Sequence, residues 1–162
     1  MVRIMFICHG NICRSPLAEF VMKDIATRAG LGSALRIASS AVSAEELGNP
    51  IYPPVQRLLR EHGIPFDVHR TARIFRASEY DDWDLLIVMD HSNFRNLSRS
   101  CRDPEGKIHL LMDFTDRPGD VADPWYNGHF EQTWNDVSEG CAALLTRLIK
   151  DGRLPFRADD RR

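Results

Sequence analysis

The 162-residue chain reads as an α/β protein, a single-domain open parallel sheet of about four strands with helices on both faces. Two patterns predict this. Short continuous apolar runs, at residues 2–7 and 84–90, have the length and composition of strands buried on both faces. Segments with apolar residues three and four apart alternate with these runs, which is the strand-helix order of a parallel sheet.

Residues 2–7 form the first strand, and Pro16 is taken as the first residue of the next helix, where its missing N–H costs nothing. Leu17, Val21, Ile25 and Ala29 keep helical spacing up to a stop at Gly30. Residues 35–40 read as a short second strand. A loop with Gly48-Asn49-Pro50 and Pro53-Pro54 leads into a helix over 55–62, ended by Gly63. The run 84–90 is a buried strand with an aspartate at each end, and a helix from about Ser92 follows it. Residues 107–112 are the fourth strand, before a loop rich in Asp, Pro and Gly. In the last helix Phe130, Trp134, Val137, Cys141, Leu144 and Leu148 share one face, which makes Cys141 a core residue.

A chain of this length is expected to be one domain over 1–162, with a core that needs no disulfide staples. Hydrophobic residues at 43% and charged residues at 27% describe a soluble globular protein. A net charge of −2 supplies no field for nucleic acid or an anionic membrane. The first seven residues are too short for a signal peptide, and no apolar run nears the roughly 20 residues that span a bilayer. Cys8, Cys13, Cys101 and Cys141 therefore read as reduced thiols, and a cytoplasmic monomer is expected.

The densest chemistry is Cys8-His9-Gly10-Asn11-Ile12-Cys13-Arg14-Ser15-Pro16. It places a thiol where a strand ends and an arginine where a helix starts. Such a loop aims backbone N–H groups and the positive end of a helix at one small volume. That volume suits a dianionic phosphate, and its field favours a nucleophilic thiolate. Arg14 adds a planar two-pronged donor. Gly10 allows close backbone approach, and Asn11 tolerates a positive φ while its side chain ties the loop together. Ser15 either hydrogen-bonds the thiolate or caps the helix ahead of Pro16; the two roles are compatible. Zinc lacks a full ligand set, because only His9 joins the two cysteines, so neither metal nor organic cofactor is expected.

This segment, together with Asp123-Pro124-Trp125-Tyr126, resembles the phosphate loop and the Asp-Pro-aromatic-Tyr motif of the low-molecular-weight protein tyrosine phosphatases. Length and element order extend the likeness over nearly the whole chain. The resemblance implies hydrolysis of phosphotyrosine in proteins, or of small aryl phosphates, through a cysteinyl-phosphate. Cys8 would be the nucleophile and Arg14 the phosphoryl ligand, with His9, Gly10, Asn11, Ile12, Cys13 and Ser15 completing the cradle. No Asp or Glu precedes Cys8, so the proton donor must lie downstream. Asp103-Pro104-Glu105-Gly106 has the look of an ordinary turn. Asp123 follows a strand and precedes Trp125 and Tyr126, two rings able to wall a slot for a flat leaving group, so Asp123 is the expected acid and then base.

Further positions carry alternatives. His69 matches a family histidine that supports the loop asparagine, or it is an exposed loop residue. Ser39, at the end of the second strand, buttresses the loop. Cys13 either forms a reversible disulfide with Cys8, as the resemblance favours, or is simply buried. Ala44-Glu45-Glu46 stands where many family members have an aromatic wall, which opens the slot and disfavours acidic peptides. Neighbouring Glu45 and Glu46 are expected to point apart into solvent. His9 either assists an anionic substrate when protonated or faces solvent. Protein-arginine phosphatases share the scaffold but have threonine where this chain has Ile12, so Ile12 favours an aryl ester. Thioredoxin-coupled arsenate reductases need two further cysteines close together, and a phosphate-binding module without activity would lack Cys8 or the acid.

Overall fold

A computed structural model of the chain describes residues 1–155. Strand β1 (Val2–Cys8) lies between β2 (Leu35–Ala41) and β3 (Leu85–Val88), and β3 pairs with β4 (Ile108–Leu110). The order is β2-β1-β3-β4, every pairing is parallel, and the described residues form one four-stranded sheet, as expected. The helices are α1 (Arg14–Arg28), α2 (Pro53–Glu61), α3 (His91–Ser100), a single turn α4 (Pro124–Asn127) and α5 (Phe130–Lys150).

The alternation along β1 divides the core. Ile4, Phe6 and Cys8 join the cluster that includes α1 and α5, through Leu17, Val21, Val137, Cys141 and Leu144. Met5 and Ile7 point to the other face, with Trp83, Leu86, Val88 and α3's Leu97. A strand covered on both faces has no reason to alternate in polarity, which is why residues 2–7 are continuously apolar. Every residue from Arg14 to Met22 is buried, because the start of α1 is wedged between the sheet and α5. Cys141 is fully buried with its thiol donating to the Ala18 carbonyl at 3.6 Å, and burial pushes that thiol far up.

Several boundaries differ from the expected ones. Helix α1 begins at Arg14, two residues before Pro16. Proline is tolerated there because first-turn amides have no helical carbonyl to bond. Strand β3 ends at Val88, and Asp90 caps α3 by accepting the Asn93 N–H at 2.7 Å. Strand β4 is only three residues long, and a 3₁₀ turn, Leu111–Phe114, takes over. The chain leaves β1 toward β2 on one side and returns to β3 on the other. The crevice between the ends of β1 and β3 is therefore the switch point where open α/β sheets bind ligands.

Candidate active site

Cys8 ends β1 with its side chain almost wholly buried. Its sulfur receives the Asn11 N–H at 3.3 Å and lies 3.1 Å from Ser15 Oγ. Asn11 makes this possible by adopting φ +61°, so that the loop curls back over the strand end. Cys8, Arg14 and Asp123 line one cleft. Ile12, Cys13, Trp125 and Tyr126 line the same space, with His9, Glu45 and Glu46 at its rim.

The Arg14 guanidinium is 2% exposed. Its Nη1 donates to Asp90 Oδ2 at 2.6 Å and to the Val121 carbonyl at 2.8 Å, and Nη2 donates to Asp123 Oδ2 at 3.3 Å. Burial alone would lower its pKa, but Cys8, Asp123 and Asp90 outweigh burial and hold it above the usual value. Nothing in the sequence distinguishes Asp90, because an aspartate ending a strand looks like any helix cap. Asp123 caps α4, with Oδ1 accepting the Trp125 N–H at 3.1 Å and Pro124 in the first turn. That leaves Oδ2 facing Arg14 and the cleft. Asp103 is engaged elsewhere, accepting from the Tyr80 hydroxyl at 2.6 Å and from the amides of Lys107 and Ile108 at 2.7 and 3.1 Å. Burial would raise the Asp103 pKa, and these donors bring it below its ordinary value instead. Asp103 sets the start of β4 and is outside the cleft.

The side chains of Asn11 and Ser15, expected in the substrate cradle, have no exposed surface and are not among the residues lining the cleft. Asn11 Nδ2 donates to Ser15 Oγ at 2.8 Å and to Ser39 Oγ at 3.0 Å, so the expected buttress Ser39 is in contact with the loop asparagine. Ser39 in turn donates to Glu19 Oε1 at 2.6 Å. The helix cap is Cys13, without a side-chain bond, so Ser15 is not the cap. His69 does not support the loop asparagine. Its side chain is exposed, and only its amide is engaged, with Asp67 Oδ1 at 2.9 Å. The next residue, Arg70, reaches Asn11 in its place.

Cys13 is buried and unpaired, as is Cys8; burial, and then the neighbouring Cys8 and Asp123, push its thiol well up. At the rim, Glu45 Oε2 meets His9 Nε2 at 3.0 Å while Glu46 accepts from Asn49 at 2.6 Å, so the two glutamates take different partners, yet both line the cleft where they were expected to point apart into solvent. A Cβ on Gly10 would stand 3.1 Å from Glu46 Cγ, so a larger residue there would have to displace the Glu46 side chain by a few tenths of an ångström. Trp125 is 50% exposed and rests on Tyr52 with ring centroids 4.8 Å apart, and Tyr52 leans on Phe130 at 6.0 Å. Tyr52 gave no signal in the sequence, since it sits between prolines in what reads as a loop. Among the described residues no helix is long and apolar enough to cross a membrane, and no group of three His, Cys, Asp or Glu could hold a metal.

A sequence model of the low molecular weight phosphotyrosine protein phosphatases matches residues 3–154. YfkJ of Bacillus subtilis, named a low molecular weight protein-tyrosine-phosphatase, is 35% identical over 95% of this chain and all of that protein. Its crystal structure aligns with a TM-score of 0.89, covering 93% of this chain and 96% of that one. SP-PTP of Streptococcus pyogenes aligns at 37% identity and a TM-score of 0.82, over 91% and 93% of the two chains. A structure of the YwlE arginine phosphatase, a mutant with a phosphorylated active site serine, aligns at 28% identity and 0.82, over 94% and 99%. Sheet, cleft and relatives together define a protein-tyrosine phosphatase. The chain belongs to the low molecular weight phosphotyrosine protein phosphatase family.

Proposed function

We propose that this enzyme hydrolyses phosphotyrosine in proteins and similar aryl phosphates through a cysteinyl-phosphate on Cys8. The observation that carries the reading is the sulfur of Cys8, met by the Asn11 amide and Ser15 in the same cleft as Arg14 and Asp123. The thiolate attacks phosphorus as the bond to the phenol oxygen breaks, and protonated Asp123 delivers its proton to that oxygen. Loop amides and Arg14 hold the equatorial oxygens, whose charge they are placed to stabilise through the transition state. Asp123, now a carboxylate, takes a proton from water as the water attacks phosphorus. The sulfur leaves as thiolate and inorganic phosphate departs.

The phosphorylated active site serine in the YwlE structure supports a covalent step. Apolar Ile12 and the Tyr52-backed Trp125 favour a flat aryl group over a phosphoguanidine. Four unpaired cysteines fit a reducing compartment, and the reading places the enzyme in the cytoplasm, acting as a monomer without metal or cofactor. The test is phosphate release from p-nitrophenyl phosphate, a phosphotyrosine peptide and a phosphoarginine peptide, in EDTA with reductant, for wild type beside Cys8→Ser. Turnover of both aryl substrates that vanishes in Cys8→Ser supports the reading. Activity in both proteins would remove Cys8 as nucleophile, and preference for phosphoarginine would reassign the substrate.

A further inference from the structure

The Asn11 side chain has every polar atom committed. Its Oδ1 accepts from Arg70 Nη2 at 2.6 Å and from the Arg73 amide at 3.2 Å. Its two Nδ2 protons go to Ser15 and Ser39. Its carbonyl accepts Arg70 Nη1 at 3.0 Å, and its amide points at the Cys8 sulfur. Because Arg70 and the Arg73 amide can only donate, the carboxamide cannot flip, and the direction of each bond is fixed. Ser15 Oγ receives a proton from Asn11, so its own proton is free to point to Cys8 at 3.1 Å, the Ser40 carbonyl being farther at 3.4 Å. The bonds then run one way: from Arg70 to Asn11, from Asn11 to Ser15, and from Ser15 to sulfur.

Arg70 comes to this point because residues 72–75 strap the end of β2. Ala41 donates to the Arg73 carbonyl and accepts from the Phe75 amide, each at 2.8 Å, while Ala72 donates to the Asn49 carbonyl. The guanidinium is half-buried and also touches Ser39 Oγ at 3.3 Å, whose partner Glu19 lies at the far side of the same network.

We infer that Arg70 is a positioning residue of this active site: by gripping both oxygens of Asn11 it holds the strained loop turn and polarises the donors that stabilise the Cys8 thiolate. This rests on Cys8 being the nucleophile. The fork matters as well as the charge, since Nη1 and Nη2 engage two oxygens of one residue at once. The other ionisable groups around the sulfur are His9, Cys13, Arg14, Glu45, Glu46 and Asp123, which line the cleft and make no hydrogen bond to Arg70.

The experiment compares wild type with Arg70→Met and Arg70→Lys. It measures kcat and KM for p-nitrophenyl phosphate, the melting temperature, and the rate at which iodoacetate modifies Cys8 at about pH 6, read by peptide mass, where an ordinary thiol is mostly protonated. Loss of a charged hydrogen-bonded partner predicts a fall in kcat of roughly 10- to 100-fold for Arg70→Met, with slower Cys8 alkylation and little change in KM. Arg70→Lys keeps the charge but not the fork, so it recovers alkylation more than kcat. A folded Arg70→Met with wild-type kcat and alkylation overturns the inference. Should that variant not fold, wild-type kcat in Arg70→Lys overturns it equally. Activity surviving in Cys8→Ser would sink the parent reading instead, which separates the two failures.

Discussion

Gly140 gives the sharpest test of how tightly the segment leading to Asp123 is packed. A methyl group at Gly140 would lie 2.5 Å from Leu111 Cγ, and 2.9 and 3.1 Å from its two methyls. Relaxed carbon contacts are about 3.5–4.0 Å, so the new carbon would stand more than about 1 Å inside the repulsive wall. Leu111 is fully buried and belongs to the 3₁₀ turn after β4, so its branch carbon has no room to retreat. Overpacking of this kind costs about 1–3 kcal/mol, and a contact this short belongs in the upper half of that range. Alanine returns about 0.8–1.0 kcal/mol of helix propensity in the middle of α5. Gly140→Ala should therefore lose about 1–2 kcal/mol net, which for a domain of this size lowers Tm by about 2–8 °C. The strain should not reach the site. Val121 is tied separately, by its amide to the Met89 carbonyl at 2.8 Å and by its carbonyl to Arg14. Thermal melts and steady-state kinetics well below Tm should show a lower Tm with unchanged kcat. An unchanged or higher Tm would refute the packing argument.

Asp123→Asn should cut kcat on phenyl phosphate by about 10²–10⁴-fold and hurt p-nitrophenyl phosphate much less, since a good leaving group needs little help. An equal loss on both would dismiss Asp123 as the acid. Arg3 grips Asp84 through its amide and guanidinium at 2.8, 3.2 and 2.9 Å, and these bonds hold the Asp84 pKa below its ordinary value. A depressed folded-state pKa stabilises above the unfolded value near about 3.9 and is lost as pH falls through the folded one. Asp84→Asn should thus lower the urea midpoint clearly near pH ~7 and scarcely near pH ~2–3; an equal deficit at both would count against an ionised pair. Ser40 Oγ is buried with no hydrogen-bond partner among the described residues, so Ser40→Ala should keep or raise Tm, and a marked drop in a thermal melt would mean the hydroxyl has a partner.

Much of this protein is legible in one dimension because its signals are local. A strand buried on both faces must be continuously apolar, so residues 2–7 and the centre of 84–90 announce β1 and β3. The face shared by Phe130, Val137, Cys141 and Leu144 announces α5 in the same way. Cys8, Arg14 and Ser15 belong to one short loop and helix start, and their order along the chain already sets a thiol against the first turn of α1. Asp123 is distinguishable from Asp103 by neighbours alone, because Trp125 and Tyr126 mark a wall where Glu105 and Gly106 mark a turn.

What the chain could not state in advance were partnerships across distance. Arg70 and Asn11 are 59 positions apart, Asp90 and Arg14 are 76 apart, and Tyr52, the residue before α2, backs Trp125 in α4. Each of these residues has an ordinary local explanation: a loop cation, a helix cap, a residue between prolines. The match to a family histidine made His69 the natural candidate, yet His69 sits in a turn closed by Asp67 with its side chain exposed, and it is Arg70, the residue after the turn, that reaches the loop. Fold class and the thiol, arginine and carboxylate of the cleft follow from short stretches of chain, because periodicity and motif spacing are properties of adjacent residues. Which charges grip the loop and which hydroxyls stand behind the sulfur depends on the folded chain, because the parallel crossovers bring the ends of β1, β2 and β3 together from distant stretches of sequence.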